Sequence, residues 1–149
     1  MIYAHNVYSV AKMQEHYALL YSMLIMRLNE PHTNISHIKL PSWEDHVKFV
    51  DKDPYKHWFI VYKAETHDLV GQYYITKSNE IGIYVIEKYR NKGYGHEIMQ
   101  CIFTQNPDVE LYANINPENK SSIAFFKRYG FELIQHTYKK AINQSTESS

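Results

Sequence analysis

The chain has 149 residues with 44% apolar side chains, enough for one domain with a sizeable buried core. Sixteen basic residues balance sixteen acidic ones, so no overall field favours nucleic acid or an anionic membrane surface. One cysteine, Cys101, excludes an internal disulfide, and no run approaches the roughly 18 apolar residues of a membrane span, so the chain reads as soluble and cytoplasmic.

In chain order, Met13, Tyr17, Leu20, Leu24 and Leu28 recur at helical spacing, which predicts an amphipathic helix from about Ala11 to Leu28. Glu30 to Leu40 contains Pro31, Asn34 and Ser36 and reads as an exposed loop. Ser42 is placed to cap a second helix with Trp43, Val47 and Val50 on its apolar face. From Trp58 the period becomes that of strands. Trp58–Tyr62, Leu69–Ile75 and Ile81–Ile86 are joined by hairpin-length polar links, which makes them antiparallel neighbours. A helix follows with Ile98, Met99, Ile102 and Phe103 inward, then a strand over Val109–Ile115, a helix over Asn119–Tyr129 and a last strand over Phe131–Tyr138. Residues 1–140 are expected to form one domain and the polar residues 141–149 a flexible tail.

Only five glycines are present, none in the first fifty residues, yet two fall in Arg90-Asn91-Lys92-Gly93-Tyr94-Gly95. This turn lies between an apolar strand and a helix. Glycines let several backbone N–H groups converge there, and the new helix adds its positive end, so the segment reads as a phosphate cradle. It is not a Walker loop, because Gly95 is followed by His96 and Glu97, and it lacks the longer dinucleotide pattern, because position 98 is Ile.

The element order and two motifs resemble the GCN5-related N-acetyltransferase (GNAT) superfamily. Arg90 to Gly95 matches the family's Gln/Arg-x-x-Gly-x-Gly/Ala loop. Asn119, Ser122, Phe126, Gly130 and Phe131 match a second signature, and the resemblance covers about Trp58 to Tyr138. It implies an α/β (α+β) fold whose central mixed, mostly antiparallel sheet of about six or seven strands is flanked by about four helices. It also implies acetyl-CoA as cosubstrate and no metal. The diphosphate is then expected on the N–H groups of Asn91, Lys92, Gly93, Tyr94, Gly95 and His96, with positive charge from Arg90 and Lys92. Solvated surface cations are the alternative for those two side chains. Ile83, Tyr84 and Val85 are expected to pair with the pantetheine, and one of their N–H groups to polarise the acetyl carbonyl. Asn119, with Ser122 and Phe126, matches the part of the family motif near the cofactor; helix capping is the alternative for Asn119.

An alkyl amine is mostly protonated at neutral pH, so a base assists its attack on a thioester. Glu80, opening Glu80-Ile81-Gly82-Ile83-Tyr84-Val85, matches the base of the family's histone-acetylating branch; a strand-end carboxylate is the alternative. Two positions depart from family patterns. Asn114 stands where enzymes acetylating ribosomal-protein N-termini carry a basic glutamate, and Phe126 replaces the tyrosine that often protonates the departing sulfur. The resemblance therefore implies an N-acetyltransferase acting on a small-molecule primary amine, such as an amino sugar or its nucleotide conjugate. A protein lysine or N-terminal acetyltransferase, or a catalytically degenerate acetyl-CoA binder, are the alternatives. Neither nucleic acid nor membrane is expected as a partner, and the chain is expected to be a monomer or homodimer. The nine histidines lack metal-ligand spacing, with His32 and His37 in a loop and His67 in a hairpin link, and Cys101 reads as core.

Overall fold

The computed structural model describes residues 1–30 and 39–142. The elements are β1 (Ile2–Asn6), α1 (Met13–Leu28), α2 (Trp43–Asp51), β2 (Tyr55–Lys63), β3 (Leu69–Thr76), β4 (Glu80–Val85), a 3-10 turn (Glu87–Tyr89), α3 (Tyr94–Gln105), β5 (Tyr112–Ala113) and α4 (Lys120–Arg128). They build one five-stranded mixed sheet in the order β1-β2-β3-β4-β5. The first three pairings are antiparallel and the last, β4 with β5, is parallel.

Strand alternation divides the core into two layers. Val61, Tyr73, Ile75 and Ile81 face a cluster with Ile98, Met99 and Ile102 of α3 and Phe126 of α4. Trp58, Ile60, Tyr62 and Tyr84 face the other way, against Leu20 and Met23 of α1 and Val50 of α2. Inside the second layer Trp58 Nε1 donates to Gln72 Oε1 at 2.8 Å, which satisfies two polar groups that burial would otherwise strand.

The expected fold class holds, with corrections. Among the described residues the sheet has five strands rather than six or seven. β1 is a strand that apolar patterning did not reveal, because His5 and Asn6 interrupt it; it pairs from Ile2↔Lys63 to Asn6↔Phe59. Val109–Ile115 contributes only Tyr112–Ala113. Phe131–Tyr138 is not a strand. Phe131 is anchored on the Phe126 ring at 5.2 Å, but residues 132–142 are exposed, and a two-residue β5 offers too short an edge for a further ladder.

The helices also differ from their patterns. Of the expected line Met13, Tyr17, Leu20, Leu24 and Leu28, Leu20 is buried, but the other buried positions of α1 are His16 and Met23; His16 carries its ring into the core by bonding Val7 O at 2.9 Å. Ser42 caps α2 as expected, accepting from Asp45 N at 3.1 Å, a contact worth about 1 kcal/mol. Trp43, expected on the inward face, is exposed, and His46 is buried instead, bonded to Tyr17 O. The expected loop at 30–40 falls mostly outside the described residues, as do His32, His37, Asn34-Ile35-Ser36 and the tail from 143.

Candidate active site

The site begins where two strands part. β4 pairs with β3 over five positions, from Ile81↔Ile75 to Val85↔Gly71. With β5 it pairs only at Glu80↔Tyr112 and Ile81↔Ala113. From Gly82 onward β4 therefore runs beside no strand on its β5 side among the described residues, and the strand becomes a sheet edge at Ile83, Tyr84 and Val85. An edge of this kind offers backbone donors and acceptors to an extended ligand.

The same strand leads into the glycine turn. After the 3-10 turn, Asn91 (φ 61°) and Gly93 (φ 89°) both adopt the left-handed conformation, which reverses the chain into α3. The first α3 N–H groups, at Tyr94, Gly95 and His96, have no partner within the helix by its geometry, and the ladder starts with Glu97 N to Gly93 O. A Cβ on Gly93 would meet nothing within 4 Å, so the space over the turn is open. Gly95 plays a different part: a Cβ there would stand 3.1 Å from the Phe125 ring, so this glycine lets α3 approach α4. Lys92 is exposed and Tyr94 is buried edge-on to Tyr89.

Arg90 is committed to the protein. Its Nε donates to Val85 O at 2.7 Å and its Nη1 pairs with Glu30 at 2.5 Å. Tyr84 OH donates to the other Glu30 oxygen at 2.7 Å. Burial opposes charge on Glu30, but the hydrogen bonds from Arg90 and Tyr84 and the charges of Arg90 and Arg27 outweigh it and hold the carboxyl below its ordinary value. Burial is also the main cause that raises the Tyr84 phenol, with Glu30 adding to it.

Glu80 opens β4, its N–H donating to Thr76 Oγ1 at 2.9 Å. Alternation puts Glu80, Gly82 and Tyr84 on one face of β4, the face that packs toward α1 and α2. Between the two flanking side chains, Tyr74 crosses Gly82, its register partner, and Tyr55 stacks on Tyr74 at 4.1 Å. Glu80 thus lies at the β4–β5 fork, at the opposite end of β4 from the glycine turn.

On α4, Asn119 caps the helix, accepting from Ser122 N at 3.1 Å. Phe126 is buried between Phe125 and Phe131 in the core. Tyr129, three residues on, bonds through its hydroxyl to His96 Nδ1 at 2.5 Å, joining α4 to the start of α3. Asn114 is exposed. Burial is the chief cause that raises the Cys101 thiol, the reverse of an activated nucleophile. Among the described residues no cluster of three or more His, Cys, Asp or Glu could hold a metal ion, and no helix is long and apolar enough to cross a membrane.

Sequence reasoning missed Arg27, Glu30, Tyr74 and the left-handed Asn91. The signal for Arg27 lay in the true stripe of α1, which continues from His16, Leu20 and Met23 to position 27.

A family model described as acetyltransferase (GNAT) family matches residues 17–131. The chain belongs to this family. No curated protein matches it in sequence. Among solved structures it is similar to a domain from Methanocaldococcus jannaschii, with TM-score 0.71, 19% identity and 92% of each chain covered. An acetyltransferase from Thermus thermophilus is similar at TM-score 0.67 and 18% identity, covering 91% of this chain and 89% of that one. A ribosomal L7/L12 alpha-N-protein acetyltransferase in complex with coenzyme A is similar at TM-score 0.62 and 14% identity, covering 81% of this chain and 77% of that one. At these identities the likenesses show the fold.

Proposed function

We propose that this chain moves an acetyl group from acetyl-CoA to a primary amine on a small molecule, such as an amino sugar or its nucleotide conjugate. The observation that carries the reading is the fork between β4 and β5, joined to the glycine turn by the unpaired edge of β4. A diphosphate on the N–H groups of Asn91 to His96 would place the pantetheine along the free edge at Val85, Tyr84 and Ile83. Its far end would then reach the fork, next to Glu80. The residues fit such a ligand because the space over Gly93 is open and the α3 end is positive.

At the fork, a backbone N–H of the Ile83–Val85 edge donates to the acetyl carbonyl oxygen and stabilises the negative charge that develops on it. Glu80 accepts the proton of the attacking amine. The C–N bond forms, the C–S bond breaks and the sulfur leaves as thiolate. An ordinary thiol pKa of about 8.5 makes this a tolerable leaving group near neutrality without an acid. That matters because Phe126 has no proton to give and the Tyr129 hydroxyl is bonded to His96. The zero net charge of the chain supports a small acceptor over a basic protein tail.

Binding is tested by thermal unfolding in the presence of coenzyme A. At a hundred times its dissociation constant, a ligand of the native state adds about 2.7 kcal/mol, or several degrees for a domain of this size. A shift with ATP or NAD and none with coenzyme A would contradict the assignment.

A further inference from the structure

We propose that Arg27 is the acceptor's anion-recognition residue, so that the amine acetylated here carries a carboxylate or phosphate. The inference rests on the acetyl-transfer reading and deepens it.

Arg27 continues the buried stripe of α1. His16, Leu20 and Met23 face the sheet, and position 27 follows at the same helical spacing, so a guanidinium is carried toward β4 where an apolar side chain is the rule. Its Cζ lies 5.7 Å from the centroid of the Tyr84 ring, and that of Arg90 lies 5.5 Å from the same ring. The two arginines differ in how their charge is met. Arg90 pairs with Glu30 at 2.5 Å and with Val85 O. Arg27 takes part in none of the salt bridges among the described residues, and its Nε is buried without a hydrogen-bond partner. Among the described residues, two guanidinium groups thus share the Glu30 carboxylate, which leaves one positive charge in excess.

A cation of this kind is costly unless an anion completes it. Its place on the strand face names the anion's owner. Arg27 bears on Tyr84, and its charge also acts on the Tyr55 phenol, whose ring stacks on Tyr74 across Gly82. Glu80, Gly82 and Tyr84 share that face, and Glu80 to Tyr84 is about 13 Å along a strand. The Tyr74 ring, backed by Tyr55, covers the strand between them, so a compact molecule that presents its amine toward Glu80 and an anionic group toward Arg27 lies over that ring. The cofactor's own phosphates are served elsewhere, at the start of α3. A guanidinium packed on a ring presents its remaining N–H groups as a fork suited to carboxylate or phosphate.

The test uses matched acceptors: 4-aminobutyrate against butylamine, and phosphoethanolamine against ethanolamine. Their acetylation is followed with the wild type, Arg27→Gln and Arg27→Lys. The wild type should prefer the anionic member of at least one pair by about tenfold or more, and which pair shows it separates carboxylate from phosphate. Arg27→Gln should raise KM for that acceptor by the same factor while leaving its uncharged match and coenzyme A affinity unchanged. Arg27→Lys should recover part of the loss. Equal use of charged and uncharged amines by the wild type would overturn the proposal, as would an Arg27→Gln defect shared by all amines or by coenzyme A. Two measurements avoid dependence on variant folding or turnover: calorimetric binding of butyrate and of ethyl phosphate to the wild-type protein loaded with coenzyme A. One of them should bind and compete with the amine. If both fail to bind, the proposal fails even where acetylation is seen. If neither anionic nor neutral amines are acetylated but one anion binds and Arg27→Lys weakens it, the anion site stands and the transfer reading fails.

Discussion

The ring of Tyr74 occupies the space that a side chain at Gly82 would need: a Cβ there would collide with Tyr74 Cζ. The two residues face each other in the β3–β4 register, and Tyr55 stacks behind the ring with an interplanar angle of 8°. Gly82 is thus a packing residue on the strand face that also carries Glu80 and Tyr84.

Gly82→Ala should consequently destabilise the protein by about 1–3 kcal/mol, because the stacked ring has little room to retreat. Combining it with Tyr74→Ala removes the obstacle, so the double variant should lose less than the sum of the singles in urea unfolding. Additive losses would show that the ring is not what excludes a side chain.

Gly93 and Gly95 should separate by readout. Gly93 has φ 89° and open space around it, so Gly93→Val strains the turn, places a branched group where a diphosphate is proposed, and should abolish coenzyme A binding with a modest loss of stability. Gly95→Val meets the Phe125 ring and should cost stability first. Calorimetry and thermal unfolding on both variants check this. Unchanged coenzyme A affinity in Gly93→Val would remove the cradle.

Much of this was legible in the sequence because it rests on local chemistry. The three central strands follow from β-branched and aromatic runs with hairpin links, and the α3 face from Ile98, Met99 and Ile102. What stayed hidden depends on tertiary partners. β1 became a strand because β2 offered it an edge, and Phe131–Tyr138 did not because β5 is only two residues long. His16 and His46 are core residues because each finds a backbone carbonyl to bond, which no periodicity announces. The Glu30–Arg90–Tyr84 cluster joins residues far apart in sequence and has no motif.

His16 should make stability depend on pH. Burial is the main cause that lowers its pKa, against the opposing pull of the Val7 carbonyl bond and Glu15, while His5 and Lys12 lower it further. The unfolded chain therefore takes up a proton near the ordinary value of 6.5 that the folded chain binds only at lower pH. Stability should fall as pH drops below 6.5, and the loss should level off at the folded value. His16→Gln, which can still donate to Val7 O, should flatten this part of the profile in chemical unfolding at successive pH values. Parallel profiles for the two proteins would contradict the burial argument.

Glu80→Gln should leave coenzyme A affinity nearly unchanged, since the proposed cofactor path meets backbone rather than this side chain. Turnover should fall about a hundredfold or more near neutral pH and recover as pH approaches the amine's own pKa, where the acceptor arrives neutral. A deficit independent of pH would make Glu80 an orienting group, and no deficit would leave it a strand-end carboxylate.

The most direct test of the account is the stoichiometry of acetyl transfer itself, with free thiol and acetylated amine measured together across a panel of small amines. Thiol release that rises with one amine and matches its acetylated product mole for mole is the predicted result. Thiol release that no amine accelerates, in a protein that still binds coenzyme A, would contradict acetyl transfer and leave a binding protein.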